Sequence, residues 1–169
     1  CGGDEINPAY KDVKSQKTGH RETIRIDYDP EKVSFRDLYD IFLGGVDPFD
    51  DGGQFIDRGH SYTLAVYCQT ETEKHIAEAG IRALEKEAGK PVCIAIEPFG
   101  SFYTAEQYHQ NYDLKNPEAF EKELIESGRK KVWGFVYENH LLQCLRIYRH
   151  ASFTGGLRCG RCLFFLYRF

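Results

Sequence analysis

Three short segments carry polar side chains suited to handling a single oxygen atom. They are Asn7-Pro8-Ala9-Tyr10, Gly19-His20-Arg21-Glu22 and Gln54-Phe55-Ile56-Asp57-Arg58-Gly59-His60-Ser61-Tyr62. Each lies at a loop or a strand end. Phenol hydroxyls and a carboxylic acid converging there could hold an oxygen that gains negative charge and deliver a proton to it. Glu22 is the natural donor, because a carboxyl group at a strand mouth, partly dried by its neighbours, holds its proton more readily than one in water. Taken alone, Glu22 also fits the solvent-facing residue of a half-buried strand. No serine or cysteine stands beside a histidine in these segments, so nucleophilic catalysis lacks its attacking atom there.

Two other clusters invite chemistry and fail on spacing. Asp47-Pro48-Phe49-Asp50-Asp51-Gly52 with Asp57 suggests a calcium loop, but Phe49 takes the third place and Arg58 the twelfth, where a bidentate glutamate belongs. Cys159-Gly160-Arg161-Cys162 is a single Cys-x-x-Cys pair. Zinc would need two more ligands, and Cys144, His140 and His150 lie at spacings of no common finger. Arg158 and Arg161 bring positive charge for a redox pair, without a helix amino-terminus to complete it. Cys68 and Cys93 fall on strand patterns and read as core thiols.

The elements that must position these groups follow from periodicity. Ile24, Ile26 and Tyr28 alternate with charged residues, giving a strand over Glu22 to Tyr28 that Asp29-Pro30 ends. Ser34 with Asp37 caps a helix whose apolar stripe is Phe35, Leu38, Tyr39 and Phe42, closing at Gly44-Gly45. A glycine- and aspartate-rich loop from Val46 to His60 leads to a second strand, Ser61 to Cys68, with Tyr62, Leu64, Val66 and Cys68 on one face. Thr70 and Glu73 form a capping box for a long helix ending at Ala88, where Gly89 supplies the cap. Pro91 to Ile96 reads as a strand, Thr104 to Tyr112 as a helical turn or two, and Asn116-Pro117 as the start of a helix closed by Gly128.

At 169 residues, with 41% hydrophobic and 28% charged residues, the chain suits a globular protein with one core. Its net charge of −4 and the lack of a basic run in the main body give no phosphate-backbone partner, so no nucleic acid is expected. No apolar run reaches the length of a membrane span, and the expected location is the cytoplasm. Beyond Trp133 the composition changes, since Phe135 to Phe169 holds five arginines, no lysine and Glu138 as its one acid. This divides the chain into a main domain, residues 1–134, and an atypical arginine- and aromatic-rich tail, 135–169. The tail reads as foreign or out of frame, with a basic amphipathic piece as the alternative. Methionine is absent throughout, so a segment upstream of Cys1 is expected to be missing from this sequence.

In this order the motifs resemble the A-type peptide methionine sulfoxide reductases, from Gly2 to about Tyr112. The likeness is carried by Gly2-Gly3, Asn7-Pro8-Ala9-Tyr10-Lys11-Asp12-Val13, Lys17-Thr18-Gly19-His20, Tyr28-Asp29-Pro30, Asp47-Pro48-Phe49 and Gln54-Phe55-Ile56-Asp57-Arg58-Gly59. Pro98-Phe99, Phe102-Tyr103-Thr104-Ala105-Glu106, Tyr108-His109-Gln110 and Ser127-Gly128-Arg129 continue it. The resemblance implies an α/β (α+β) two-layer sandwich of ferredoxin-like kind, a mixed sheet with helices on one face. It also implies thiol-dependent reduction of methionine S-sulfoxide in oxidised proteins and peptides, with no bound cofactor or metal. Thioredoxin or dithiothreitol would be the reductant, and a monomer is expected. A cysteine thiolate attacks the sulfoxide sulfur, methionine leaves, and the sulfenic acid so formed condenses to a disulfide. By motif, Glu22 would donate the proton, and Tyr10 and Tyr62 would bind the oxygen. Asp57 and His20 would order the substrate.

One departure stands out. The family's glycine-cysteine-phenylalanine-tryptophan segment, which supplies the nucleophile, is absent from these residues, and Cys1 aligns with a small residue before the paired glycines. The expectation is therefore an N-terminally truncated member without its opening strand and helix, impaired in activity and poor in folding. A catalytically dead remnant that still binds methionine sulfoxide or a protein partner is the alternative.

Overall fold

The computed structural model describes residues 1–128 and the backbone of residues 161–165. The composition change after Trp133 and the side chains of Cys144, Cys159 and Cys162 lie outside the described residues, as does Arg129. Within them the fold is mixed α/β, built on a four-stranded sheet and a small two-stranded one.

The first element, α1 (Tyr10–Lys14), is a single turn with no side-chain cap of its own. Its leading N–H is instead taken by the distant Glu106 carboxylate at 3.1 Å. Strand β1 (Ile24–Tyr28) starts two residues later than periodicity suggested, because the Glu22 N–H donates to the Ser61 carbonyl at 2.9 Å. Helix α2 (Phe35–Gly44) has the expected box, with Asp37 N–H on Ser34 Oγ and Ser34 N–H on the Asp37 carboxylate. It buries Phe35, Leu38, Tyr39 and Phe42.

The loop after α2 contains a hairpin that the sequence did not announce, β2 (Gly53–Gln54) against β3 (Asp57–Arg58). Gly53 permits it, since at φ 142° an added Cβ would sit 2.2 Å from the Asp57 carbonyl. Asp50 pairs with Arg58, while Asp47 exchanges two backbone bonds with the buried Gln54 amide, both 2.9 Å. The Asp47 and Asp50 carboxylates accept the Phe49 and Gly52 N–H groups, both at 3.0 Å, so these acids organise the turns of the loop. A 3-10 turn, His60–Tyr62, then precedes β4 (Leu64–Cys68). Tyr62 therefore belongs to the turn, and the strand expected from Ser61 begins at Leu64.

Helix α3 (Glu71–Ala88) carries the Thr70–Glu73 box and ends on Gly89 at φ 67°. It crosses over to β5 (Ile94–Pro98), which lies parallel to β4. This strand is displaced from the expected Pro91–Ile96 because the Val92 and Cys93 N–H groups are drawn to Glu85 Oε1 and the Pro48 carbonyl. The helical turn or two expected over Thr104–Tyr112 correspond to turns at 107–111, with Asn111 at φ 55°, before the short α4 (Tyr112–Lys115). Helix α5 (Pro117–Glu126) begins on its proline. Finally β6 (Arg161–Phe165) lies antiparallel to both β1 and β4, giving the order β1-β6-β4-β5.

Strand β4 is buried on both faces, and its alternation separates two apolar clusters. Leu64, Val66 and Cys68 join Tyr28, Ile94 and the inner stripe of α2 and α3 in the main core. The helices approach closely at Gly80, where a Cβ would meet the Tyr39 ring at 2.4 Å. Ala65 and Tyr67 face the other way, against Cys1, Phe99 and Phe102. Among the described residues no helix is long and apolar enough to cross a membrane.

Candidate functional site

The site is built where the chain enters β1 and β4. The Glu22–Ser61 backbone bond joins the two approaches, so Glu22 and Tyr62 arrive side by side. Tyr62 is 7% exposed, and its hydroxyl is hydrogen-bonded to the Glu22 carboxyl group. Burial first, then the nearby Glu22, Tyr10 and Asp57, raise its pKa above that of an ordinary phenol. The hydroxyl is therefore a firm donor at every physiological pH. Glu22 Oε1 and Tyr10 Oη are themselves shielded from solvent.

Tyr10 reaches this point from α1 and is walled by the His109 ring, whose centroid lies 4.1 Å away at 49°. Tyr108 flanks that histidine at 4.2 Å. Asp57 comes from β3, opposite Gln54, half-buried and within electrostatic reach of the Tyr62 hydroxyl. Four of the five residues picked out in the sequence, Tyr10, Glu22, Asp57 and Tyr62, thus gather from all three of the polar segments.

His20 stands apart from them. It is 1% exposed, its Nδ1 accepts the Gly3 N–H at 3.2 Å, and its Nε2 bonds the Glu5 carbonyl at 2.8 Å. Accepting at Nδ1 places the proton on Nε2, so these two bonds describe the neutral ring. Its ring edge meets Tyr103. His20 folds the Gly2-Gly3 loop around itself.

A carboxyl group and two phenols around one dry spot form a donor set for a polar oxygen whose charge grows during reaction. The family model for peptide methionine sulfoxide reductase matches residues 1–140. The chain belongs to the peptide methionine sulfoxide reductase family. It is 43% identical over 139 residues to peptide methionine sulfoxide reductase MsrA 2 of Staphylococcus aureus strain N315, covering 79% of this chain and 78% of that one. To MsrA of Bacillus velezensis it is 41% identical over 141 residues, covering 82% and 77%. The reduced form of Mxr1 from Saccharomyces cerevisiae superposes with a TM-score of 0.62 at 29% identity, and methionine sulfoxide reductase A of Corynebacterium diphtheriae does the same. Each covers 69% of this chain, which spans 65% and 61% of those two chains.

In this member of the family two further residues support these side chains, Gln16 without a sequence signal and Glu106 from within the Phe102-Tyr103-Thr104-Ala105-Glu106 motif. Gln16, at φ 61°, donates from Nε2 to Ser61 Oγ at 2.7 Å and accepts the Ser61 N–H on Oε1 at 2.9 Å. Glu106 holds α1 in place under Tyr10. A glutamine after a short basic helix carries no pattern that would betray such a clamp. The described cysteines face other neighbourhoods: Cys1 packs with Ala65 and Tyr67, and Cys68 lies in the main core. Cys93 Sγ touches the Phe49 carbonyl at 3.7 Å.

Proposed function

We propose that this chain recognises methionine S-sulfoxide in oxidised proteins and peptides and serves its thiol-dependent reduction, with thioredoxin or dithiothreitol as the source of electrons. Tyr10 and Tyr62 hydrogen-bond the sulfoxide oxygen, Glu22 donates the proton to it, and Asp57 orders the substrate beside them. His20 acts at one remove by holding the Gly2-Gly3 loop, beside which the Cys1 carbonyl accepts the Arg21 N–H. In the reaction a thiolate attacks the sulfoxide sulfur, and the oxygen, protonated from Glu22, passes to the attacking sulfur. Methionine is released reduced and the thiol becomes a sulfenic acid, which a second thiol converts to a disulfide and water. Each acid or phenol stabilises charge that develops on oxygen as the S–O bond breaks, so the donors favour the transition state over bound sulfoxide.

The single observation behind this reading is the Glu22–Tyr62 hydrogen bond in a buried setting shared with Tyr10 and Asp57. The measurement is turnover of a peptide bearing one methionine S-sulfoxide, with dithiothreitol, beside Glu22→Gln. Loss of roughly 10² to 10⁴ in rate is expected for removing a general acid; unchanged turnover in the variant rejects the role.

A second reading draws on the cysteines. Cys68 is pushed up to about 12, by burial first and by Glu73 next, and Cys1 is buried against Ala65 and Tyr67. On this reading the cradle binds sulfoxide while these thiols reduce it slowly or not at all. Saturable binding of the sulfoxide peptide without turnover supports it; turnover abolished by Cys1→Ser makes Cys1 the attacker and ends it.

A further inference from the structure

Arg21 sits between His20 and Glu22 with its side chain 11% exposed, yet the sulfoxide chemistry gives it no task. Its guanidinium is fixed at three points. Nε donates to Thr63 Oγ1 at 2.9 Å, and Nη1 donates to the Tyr67 hydroxyl at 3.1 Å and to Glu97 Oε1 at 2.8 Å. Its backbone is held as well, since the N–H donates to the Cys1 carbonyl at 2.8 Å and the carbonyl accepts the Thr23 hydroxyl at 3.0 Å. The acceptors are in turn engaged: Thr63 donates to the His60 carbonyl at 2.8 Å, and Tyr67 donates to the Cys1 carbonyl at 3.2 Å.

The sequence neighbours of the two central site residues are therefore bonded to each other. Arg21 immediately precedes Glu22, and Thr63 immediately follows Tyr62. We infer that Arg21 is a positioning residue for the proposed reaction, setting the distance between Glu22 and Tyr62 by bolting the approach to β1 onto Thr63, β4 and β5. This rests on the reading of Glu22 and Tyr62 as the sulfoxide cradle and extends it to the group that holds the cradle closed. A planar fork suits the task, because several donors with fixed mutual angles constrain a backbone that a lysine ammonium, a single swivelling point, cannot. Burial opposes the charge of Arg21, but Tyr67 and Glu97 more than offset it, so the guanidinium stays ionised and the bonds charge-assisted. Small displacements matter here, since a misplacement of about 1 Å can cost on the order of 10²-fold in rate.

The test is a double-mutant cycle on the full chain, read as the binding preference for a peptide carrying one methionine S-sulfoxide over the same peptide unoxidised. Arg21→Lys and Glu22→Gln are each expected to lower that preference about tenfold, and the double variant to fall no further than the worse single one, because Arg21 acts through Glu22. Near-ultraviolet circular dichroism checks folding; should Arg21→Lys not fold, Glu97→Gln breaks the same network from its other end and takes its place in the cycle. Arg36→Lys, in an exposed pair with Asp40, is expected to bind as the unchanged protein does. Independent, multiplying losses overturn the positioning role, as does an unaltered preference in folded Arg21→Lys beside a defective Glu22→Gln. An unaltered preference in Glu22→Gln overturns the cradle itself and this inference with it.

Discussion

Gln16 grips Ser61 at two points, amide nitrogen to hydroxyl at 2.7 Å and backbone N–H to amide oxygen at 2.9 Å. The residue held is the one before Tyr62, and its carbonyl receives the Glu22 N–H. Gln16 adopts φ 61°, a conformation costly for a side chain of its kind, and Gly59 leaves the space its amide fills. Gln16→Ala removes both bonds and leaves buried partners behind. A loss of about 1–3 kcal/mol in urea unfolding is expected, together with weaker discrimination between sulfoxide and unoxidised peptide. Full stability and full discrimination in the variant would show the clamp to be idle.

The paired glycines before this region are dictated by contact. A Cβ on Gly3 would lie 2.6 Å from both the His20 ring and its backbone nitrogen. Gly2, at φ 90°, would press a Cβ against the Tyr67 hydroxyl at 2.4 Å. Gly3→Ala must therefore move a ring that has no room to move, at a cost of about 1–3 kcal/mol. Thermal unfolding should shift downward, and the nitrogen resonances of His20 should lose the signature of a fixed Nε2–H tautomer. An unperturbed imidazole spectrum would mean that the loop, and not His20, gives way.

Much of this molecule was legible because local signals and tertiary structure agreed. The Ser34–Asp37 and Thr70–Glu73 boxes, the stripe of α2 and the stop at Gly89 rest on bonds within a few residues, which sequence spacing captures. The boundaries that moved did so through bonds made at a distance. Glu22 leaves the strand because Ser61 takes its N–H, Cys93 because Pro48 does, and α1 exists under the distant Glu106. The site followed the same division. Tyr10, Glu22, Asp57 and Tyr62 were picked out by motif and chemistry and His109 lay within a quoted motif, while the bonds of Gln16 to Ser61 and of Arg21 to Thr63 join positions more than forty residues apart, which no local pattern encodes.

Alkaline solution should weaken the fold from about pH 9. Burial, with Glu73 adding to it, raises Cys68 from 9.0 to about 12, and burial raises Tyr39 from 10.0 to about 12. Tyr62 moves upward by the same cause. Between pH 9 and 12 the unfolded chain releases these protons while the folded one keeps them, so unfolding gains and stability falls as pH rises. Each such group contributes at most about 1.4 kcal/mol per pH unit to the slope. Urea unfolding at half-unit steps from pH 7 to 10.5 should be level in these groups below 9 and decline above it. Cys68→Ala should flatten the part between 9 and 10; an identical slope would mean that the thiol already ionises in the folded state.

The described cysteines should differ in reactivity for reasons of access and charge together. Thiolate is the species that reacts with a disulfide reagent or iodoacetamide. Cys68 is 7% exposed and its thiol is raised to about 12, so at neutral pH it offers neither surface nor anion. Cys1 is equally shielded at 7%, whereas Cys93 is only half-buried at the edge of β5. Brief labelling at pH 7 followed by peptide mass analysis should therefore modify Cys93 well before Cys1 or Cys68, and urea should erase the difference. If Cys1 reacts first in the folded protein, its sulfur reaches solvent or a base, which counts against the reading in which the cradle binds sulfoxide while these thiols reduce it slowly or not at all. If Cys68 does, the main core opens between β4 and α3 more readily than its packing implies.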